Sequence, residues 1–541
     1  MLKLTPEQVT KYIDRLEARI SDDDELLDFF SLAVHGNLWF SRELEQGTLT
    51  IAKLRRLFQI QGSEKSSNRN QRQQDKQRLK SSNTGHNSKT KGHGRNSADA
   101  YAGAEVVDVL HPELIPGDIC PTEECGGKLY EMTEPGVVIR VTGSPLAKAT
   151  RYNQQKLRCA ICEAIYTAAL PGGISSKKYD ESFVSMLMIN KYFMSVPLYR
   201  QDRLQQYLGM PLPCSTQWDL MHAYAPMLKK LYSALCLDAA NGIGLCYDDT
   251  SVKILSEIKA KKKAAKGEKS KHNCFTTGIV SVHESHRAYV YMSDTSPAGQ
   301  TIDALLKLRA KDAPPPMLMC DALSANTPTS ISKDLYVLCY CLVHARRQFY
   351  ELPNGYDDLA DTVIRLIGNI YDNEVTAKTL DAKARLKYHK EKSQPIMAKL
   401  KTYLKSQHDQ FEPNGVAGKA IAYILKRFTE LTQFLRHANA PLDTNIVEQA
   451  LKLVIQTRKS SLFYKSLSSA AFASYVQSAL YSAAQNDINP CDYMTVLLQN
   501  EAAVIKDPDY WLPWSYKETL KQSLAVGARK LPSQQESPGS R

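Results

Sequence analysis

Three acidic residues, Asp248, Asp321 and Glu448, sit where a metal-dependent phosphodiester chemistry would need them. Asp248 closes the apolar run Ile243-Gly-Leu-Cys-Tyr-Asp248, and Asp321 closes Met317-Leu-Met-Cys-Asp321. Glu448 falls in Leu442-Asp-Thr-Asn-Ile-Val-Glu-Gln-Ala-Leu451, whose spacing predicts a helix. A carboxylate at the C-terminal tip of a buried strand projects beside those of its neighbours. Two such tips and one helix carboxylate suit a pair of divalent cations acting on DNA or RNA. The chain has 57 Asp and Glu residues, so residue type alone carries little weight. Position carries more: both aspartates end short apolar runs followed by turn formers or a helix start. Asp249 adjoins Asp248, and because neighbours on a strand point to opposite faces, the residues by themselves leave both open.

A mixed sheet is needed to position these groups. Strands are expected at 243–248, 275–282 and 287–292, then a helix at 298–309, a strand ending at Asp321 and another at 335–341. Three strands, a helix and two further strands are the order of a ribonuclease-H-like sheet. Helical periodicity then runs from about 345 to 435, an insertion that must return the Glu448 helix to the sheet. Upstream, 197–208, a turn at 209–213, and 215–230 with Ser215 or Thr216 as N-cap read as helix, turn, helix.

Cys120-x4-Cys125 and Cys159-x2-Cys162 form two knuckles separated by the strand formers Val137-Val-Ile-Arg-Val141 and Gln155-Lys-Leu-Arg158. Paired cysteines on two hairpin knuckles supply four thiolates for tetrahedral Zn2+, and Gly126-Gly127 permits the tight first turn. At the N-terminus Thr5-Pro-Glu-Gln8 has the form of a capping box, and Val9, Ile13, Leu16 and Ile20 continue it as an apolar seam, suited either to packing on its own domain or to a partner helix. From 62 to about 100 the chain is rich in Ser, Asn, Gln, Lys and Arg, a flexible basic linker.

With 541 residues and 43% hydrophobic content, two to four cores are expected. No apolar stretch is long enough for a bilayer and the N-terminus lacks signal-peptide features, so a cytoplasmic location is expected. The net charge of +12, with basic runs at 55–95 and 259–271, favours a polyanionic partner. Twelve cysteines in such a compartment read as metal ligands or buried side chains rather than disulfides.

Taken in order, these motifs resemble the transposases of the insertion sequence 66 family, a bacterial DDE-class group. The resemblance rests on Leu54-Arg-Arg-Leu-Phe, Gly62-Ser-Glu-Lys65, Gly92-His-Gly-Arg-Asn96, Lys191-Tyr192 and Pro197-Leu-Tyr-Arg-Gln201. It continues through Asp248-Asp-Thr250, Asp321, Cys341-x2-His344-Ala-Arg-Arg347, Asn445-x2-Glu448 and Leu512-Pro-Trp514. The chain departs from the family in its wide first knuckle and in Thr457-Arg-Lys-Ser-Ser-Leu-Phe463, which keeps the basic pair but lacks the usual Gly, Asn and Trp.

The resemblance implies a catalytic set of Asp248, Asp321 and Glu448, with Asp249 as the alternative first aspartate, holding Mg2+ or Mn2+. It implies structural Zn2+ at Cys120, Cys125, Cys159 and Cys162. Expected DNA contacts are Asn445, His344, Arg346, Arg347, Arg458 and Lys459. The expected organisation is multidomain, α/β and α: N-terminal helices (1–61), linker (62–100), zinc-ribbon-like domain (101–172), helix-turn-helix-like segment (173–240), ribonuclease-H-like core strands (241–344), helical insertion (345–440), Glu448 helix and end of the core (441–488), and tail (489–541). The implied activity is cleavage and joining of DNA at element ends, by a homo-oligomer on DNA with or without accessory proteins. Two rivals are a ribonuclease-H-like nuclease or resolvase that stops at hydrolysis, and a zinc-ribbon DNA-binding regulator with an inactive catalytic domain.

Overall fold

The computed structural model describes residues 108, 113–119, 121, 127–130, 147–158, 165–171, 177–263 and 274–529. The N-terminal helices, the basic linker, the segment 137–141, all four knuckle cysteines and most of the run 259–271 lie outside the described residues. The chain divides into two compact units, Met1–Pro145 and Leu146–Arg541. In the first, Ile119 and Lys128 form an antiparallel bridge on either side of the first cysteine pair. In the second, β1 (Lys156–Arg158) pairs antiparallel with β2 (Ile165–Thr167) around the second cysteine pair.

Helix α1 (Glu181–Met188) starts at Asp180, whose side chain accepts a hydrogen bond from the Phe183 N–H. α2 (Leu198–Tyr207) and α3 (Cys214–His222) are joined through Gly209, whose φ of +73° is a conformation glycine adopts at no steric cost. The second helix of this pair differs from expectation. It begins at Cys214 and stops at His222, because Pro226 starts a new helix, α4 (Ala225–Ala240).

Five strands form the central sheet: β3 (Gly244–Val252), β4 (Cys274–Val282), β5 (Arg287–Asp294), β6 (Met317–Cys320) and β7 (Val337–Tyr340). Their order is β5-β4-β3-β6-β7. The first three strands are antiparallel, and β6 and β7 run parallel to β3. α5 (Leu255–Lys263) follows β3, and α6 (Ala298–Leu306) crosses from β5 to β6. The expected strand order is present, but β3 does not end at Asp248. Its pairing with β6 stops at Cys246, whereas its pairing with β4 continues from Asp248↔Gly278 to Val252↔Cys274. Asp248 therefore lies in mid-strand, just past the point where the parallel neighbour leaves.

Helices α7 (Leu342–Tyr350), α8 (Asp357–Ala377), α9 (Ala382–Tyr388), α10 (Gln394–His408), α11 (Val416–Lys426) and the single turn α12 (Phe428–Leu431) make up the insertion. α13 (Asn445–Ser461) then returns to the sheet, and α14 (Leu467–Gln485) covers its β5 edge. An edge strand exposes unpaired amides. Here the Tyr289 and Tyr291 N–H groups donate to Ser482 Oγ and Ser478 Oγ, both at 2.9 Å, so serines one helical turn apart complete the ladder.

The sheet separates two apolar layers. Leu245, Tyr247, Ile279 and Val290 pack with α1, α4, α6 and α14. Cys246, Val280, Tyr291 and Met319 pack with α8, α11 and α13. No helix of the described residues is long and apolar enough to cross a membrane.

Candidate active site

Alternation along β3 assigns different surroundings to the adjacent aspartates. Asp249 shares the face of Leu245 and Tyr247, and both its oxygens are engaged: Thr277 Oγ1 donates to Oδ1 at 2.6 Å and Ala298 N donates to Oδ2 at 2.7 Å. It thereby caps the first turn of α6. Asp248 shares the opposite face with Cys246, toward α13. Its Oδ1 accepts the Asp249 N–H at 2.8 Å. Burial, aided by the negative charges of Asp321 and Glu448, pushes its carboxyl up to about 7.

Asp321 directly follows β6. Its Oδ1 accepts from Leu323 N at 3.2 Å and from the Asn326 side-chain amide. Asn326 is buried and fixed in turn by the Tyr247 hydroxyl, which donates to its carbonyl at 2.8 Å. From the insertion, Tyr423 on α11 also faces this aspartate: burial, with a smaller contribution from the Asp321 charge, raises its hydroxyl to about 12. The Arg427 guanidinium lies 4.4 Å from the centre of the Tyr423 ring. The sequence did not single out Tyr423 or Arg427, since nothing in a long amphipathic insertion marks which turn reaches the sheet.

Glu448 is in the first turn of α13. Leu342 N donates to Leu442 O at 2.9 Å, and Thr444 N donates to Cys341 Sγ at 3.4 Å, so the returning chain docks on the residues that follow β7. Thr444 Oγ1 donates to Glu448 Oε1 at 3.2 Å, and His344 Nε2 is 3.9 Å from the same oxygen. Asn445, expected as a DNA contact, is exposed. Arg346 stacks on Tyr350 at 5.9 Å, Arg347 is half-buried on α7, and Lys459 is exposed. Arg458 is not a purely outward group: its Nη1 donates to Thr250 Oγ1 at 3.0 Å and to the Ser251 carbonyl, tying α13 to the end of β3.

Each of the three carboxylates therefore has one oxygen held by the protein. Among the described residues no hydrogen bond reaches Asp248 Oδ2, Asp321 Oδ2 or Glu448 Oε2. Asp321 and Glu448 are near enough for their charges to act on Asp248, but the three are not drawn into a cluster with every donor within 4.8 Å.

Gly278, opposite Asp248 in the register, lets α13 lie close to the sheet. A Cβ there would meet Leu451 Cδ2 at 2.8 Å and Leu451 Cγ at 2.9 Å. Gly278→Ala is expected to destabilise the protein by about 1–3 kcal/mol through overpacking and to lower activity by moving Glu448. Denaturant unfolding beside an activity assay checks this; a variant matching wild type in both would remove α13 seating as a constraint.

Lys191, half-buried beside Arg458, donates to Ser461 Oγ at 2.7 Å, and burial lowers its ammonium from 10.5 to about 8. Between those values the unfolded chain holds a proton that the folded chain has lost, so this group's contribution to stability rises with pH from 8 to 10.5. Lys191→Met should therefore be more stable than wild type at pH 7, by a few kcal/mol at most, with the gap narrowing toward pH 10. Urea unfolding at both pH values measures the gap; a gap independent of pH would contradict the assignment.

The family model described as "Transposase IS66 family" matches residues 177–471, more than half of the chain. That span includes all three carboxylates. The chain is also similar to three proteins of Sinorhizobium fredii (strain NBRC 101917 / NGR234). Uncharacterized protein y4qI is 24% identical over 438 residues, 76% of each chain. Uncharacterized protein y4hP is 22% identical over 405 residues, 69% of each. Uncharacterized protein y4jD is 27% identical over 185 residues, 33% of this chain and 36% of the relative. The matched span and the ordered site within it lead to one conclusion: the chain belongs to the IS66 family of transposases.

Proposed function

We propose that this chain cuts DNA at the ends of an insertion sequence and joins the cut ends to a target, using Asp248, Asp321 and Glu448 as its catalytic carboxylates. The observation that carries this reading is their convergence from β3, the end of β6 and the first turn of α13. Burial and the two neighbouring charges raise the Asp248 carboxyl to about 7, as expected where acidic groups gather for function rather than stability. The strand order β5-β4-β3-β6-β7 is compatible with a ribonuclease-H-like core and supports the same reading.

The donor set fits Mg2+ or Mn2+: three hard carboxylates, each oriented through one oxygen and open at the other. Bound in a pair, such ions would lower the pKa of a coordinated water and stabilise the leaving oxygen. The protein's part is orientation. Asn326 and Leu323 N hold Asp321, the Asp249 N–H holds Asp248, and Thr444 holds Glu448. Water would first open the phosphodiester at the element end, and the released 3′-hydroxyl would then displace a bridging oxygen in the target strand. Lys459, Arg346 and Arg347 are proposed contacts to phosphates, which add affinity without sequence choice. Structural Zn2+ at the four knuckle cysteines belongs to this reading on their spacing alone.

The test is a labelled element end incubated with purified protein, target DNA and Mg2+, with accessory proteins of the element supplied. Cleavage followed by joined product is expected. Cleavage without joining would replace this reading with a hydrolase, and neither product would leave a DNA-binding role.

A further inference from the structure

We propose that Asp238, His283 and His286 form a second metal site, for a divalent transition ion of the Zn2+ class, at the end of the sheet away from the catalytic carboxylates. Asp238 lies in the last turn of α4, and the two histidines flank Glu284-Ser285 in the turn between β4 and β5. His283 Nε2 and His286 Nε2 each lie 3.1 Å from the same atom, Asp238 Oδ2. Around tetrahedral zinc with bonds of about 2.0–2.1 Å, neighbouring donors are separated by about 3.3 Å, so the three ligand atoms are already close to the spacing an ion needs. Among the described residues, no other three His, Cys, Asp or Glu ligand atoms all lie within 4.8 Å of one another.

The surroundings are those of a supported site. The imidazoles stack with centroids 4.2 Å apart and planes 12° apart, and their Nε2 atoms meet at the same carboxylate oxygen. His286 Nδ1 lies 3.0 Å from Ser285 Oγ, an outer partner that fixes the ring orientation. The other face of His286 stacks on Trp514 at 3.8 Å. The side chains of His283, His286 and Asp238 are 17%, 11% and 20% exposed, so the trio is reachable from solvent. Asp248 pairs with Gly278 and Gly244 with Val282, so roughly 13 Å of strand separates this site from Asp248. A metal here would clasp the end of α4, the β4–β5 turn and the Leu512-Pro-Trp514 segment together, a role independent of DNA cleavage.

Glutamine separates this proposal from a simple hydrogen-bonded trio, because its amide can still donate to Asp238 while binding zinc poorly. Full-length wild type and His283→Gln/His286→Gln protein are equilibrated with Zn2+, desalted and analysed for metal, and thermal unfolding is followed with and without Zn2+. Zinc held elsewhere in the chain is common to both. The variant should retain about one zinc fewer per chain, and Zn2+ should raise its melting temperature less than that of wild type. Asp238→Asn, which keeps an oxygen acceptor for the imidazoles, repeats the comparison if the histidine variant does not fold. Equal zinc content and equal thermal shifts in wild type and a folded variant would overturn the site.

Discussion

Asp321→Asn is expected to lower both strand cleavage and strand joining on the order of 10^3-fold or more, about 4 kcal/mol of lost transition-state stabilisation, while melting near the wild-type temperature. The fold should hold because the bonds to Asp321 arrive at Oδ1, from Leu323 N and the Asn326 amide. An asparagine carbonyl can accept both, so the substitution mainly removes the charge and the open oxygen. The same reasoning applies to Asp248→Asn and Glu448→Gln, each of which keeps one anchored oxygen. Asp249→Asn should behave differently. Both its oxygens are used, but an amide in that position can keep both contacts: its oxygen accepts from Ala298 N, and its NH2 donates to Thr277 Oγ1, whose hydroxyl turns from donor to acceptor. It is therefore expected to cost at most about 1 kcal/mol of stability and to retain joining. Parallel strand-transfer assays and melting curves on the four variants separate these outcomes. Wild-type joining by Asp321→Asn would end its catalytic assignment, and a stable but inactive Asp249→Asn beside an active Asp248→Asn would reverse the choice between the pair.

That choice marks the limit of what could be read from the residues. The apolar runs ending at Asp248 and Asp321 revealed the strands, and helical spacing placed Glu448, because burial imposes period on sequence. Beyond Asp248 the segment Asp249-Thr-Ser251 has no apolar period, yet β3 continues, since its backbone still pairs with β4. Pairing of that kind leaves no mark on side-chain type. The contact of Thr444 with Glu448 leaves no mark in the sequence, because spacing along a helix identifies a shared face but not which group at its start turns inward. Tyr423 approaches Asp321, with Arg427 on its ring, through the folding of an insertion in which several helices carry an apolar stripe. The Asp238, His283 and His286 trio joins a helix end to a strand turn, a juxtaposition made only by the sheet.

The insertion also holds the group whose removal should cost the most stability. Glu374 on α8 has a side chain only 9% exposed and joins an arginine and a histidine: its Oε1 is 3.0 Å from Arg385 Nη2, and its Oε2 is 2.8 Å from His389 Nε2. Burial alone would raise this carboxyl, but the His389 and Arg385 interactions outweigh it and hold it below its usual 4.5. Glu374→Ala strands the Arg385 charge in a half-dry interior and is expected to cost about 3–5 kcal/mol. Because the folded value is depressed, the stability Glu374 supplies is fully present above pH 4.5 and is lost as pH falls through the lower folded value. The gap between wild type and Glu374→Ala should therefore close in acid. The effect should also reach the active site. Arg385 Nη1 donates to the carbonyls of Ala438 and Ala440, both at 3.1 Å, just before Leu442 receives its bond from Leu342 N and the chain turns into α13. With Glu374 gone, Arg385 loses the acceptor that aims it and the start of α13 loosens, so Glu448 is held less well. The milder Glu374→Gln, which keeps one acceptor, should then lower strand joining at temperatures where it remains fully folded. Unfolding at pH 7 and pH 4, with joining assayed well below the melting point, tests both parts. A Glu374→Ala protein as stable as wild type at pH 7 would refute the first, and undiminished joining by Glu374→Gln would refute the second.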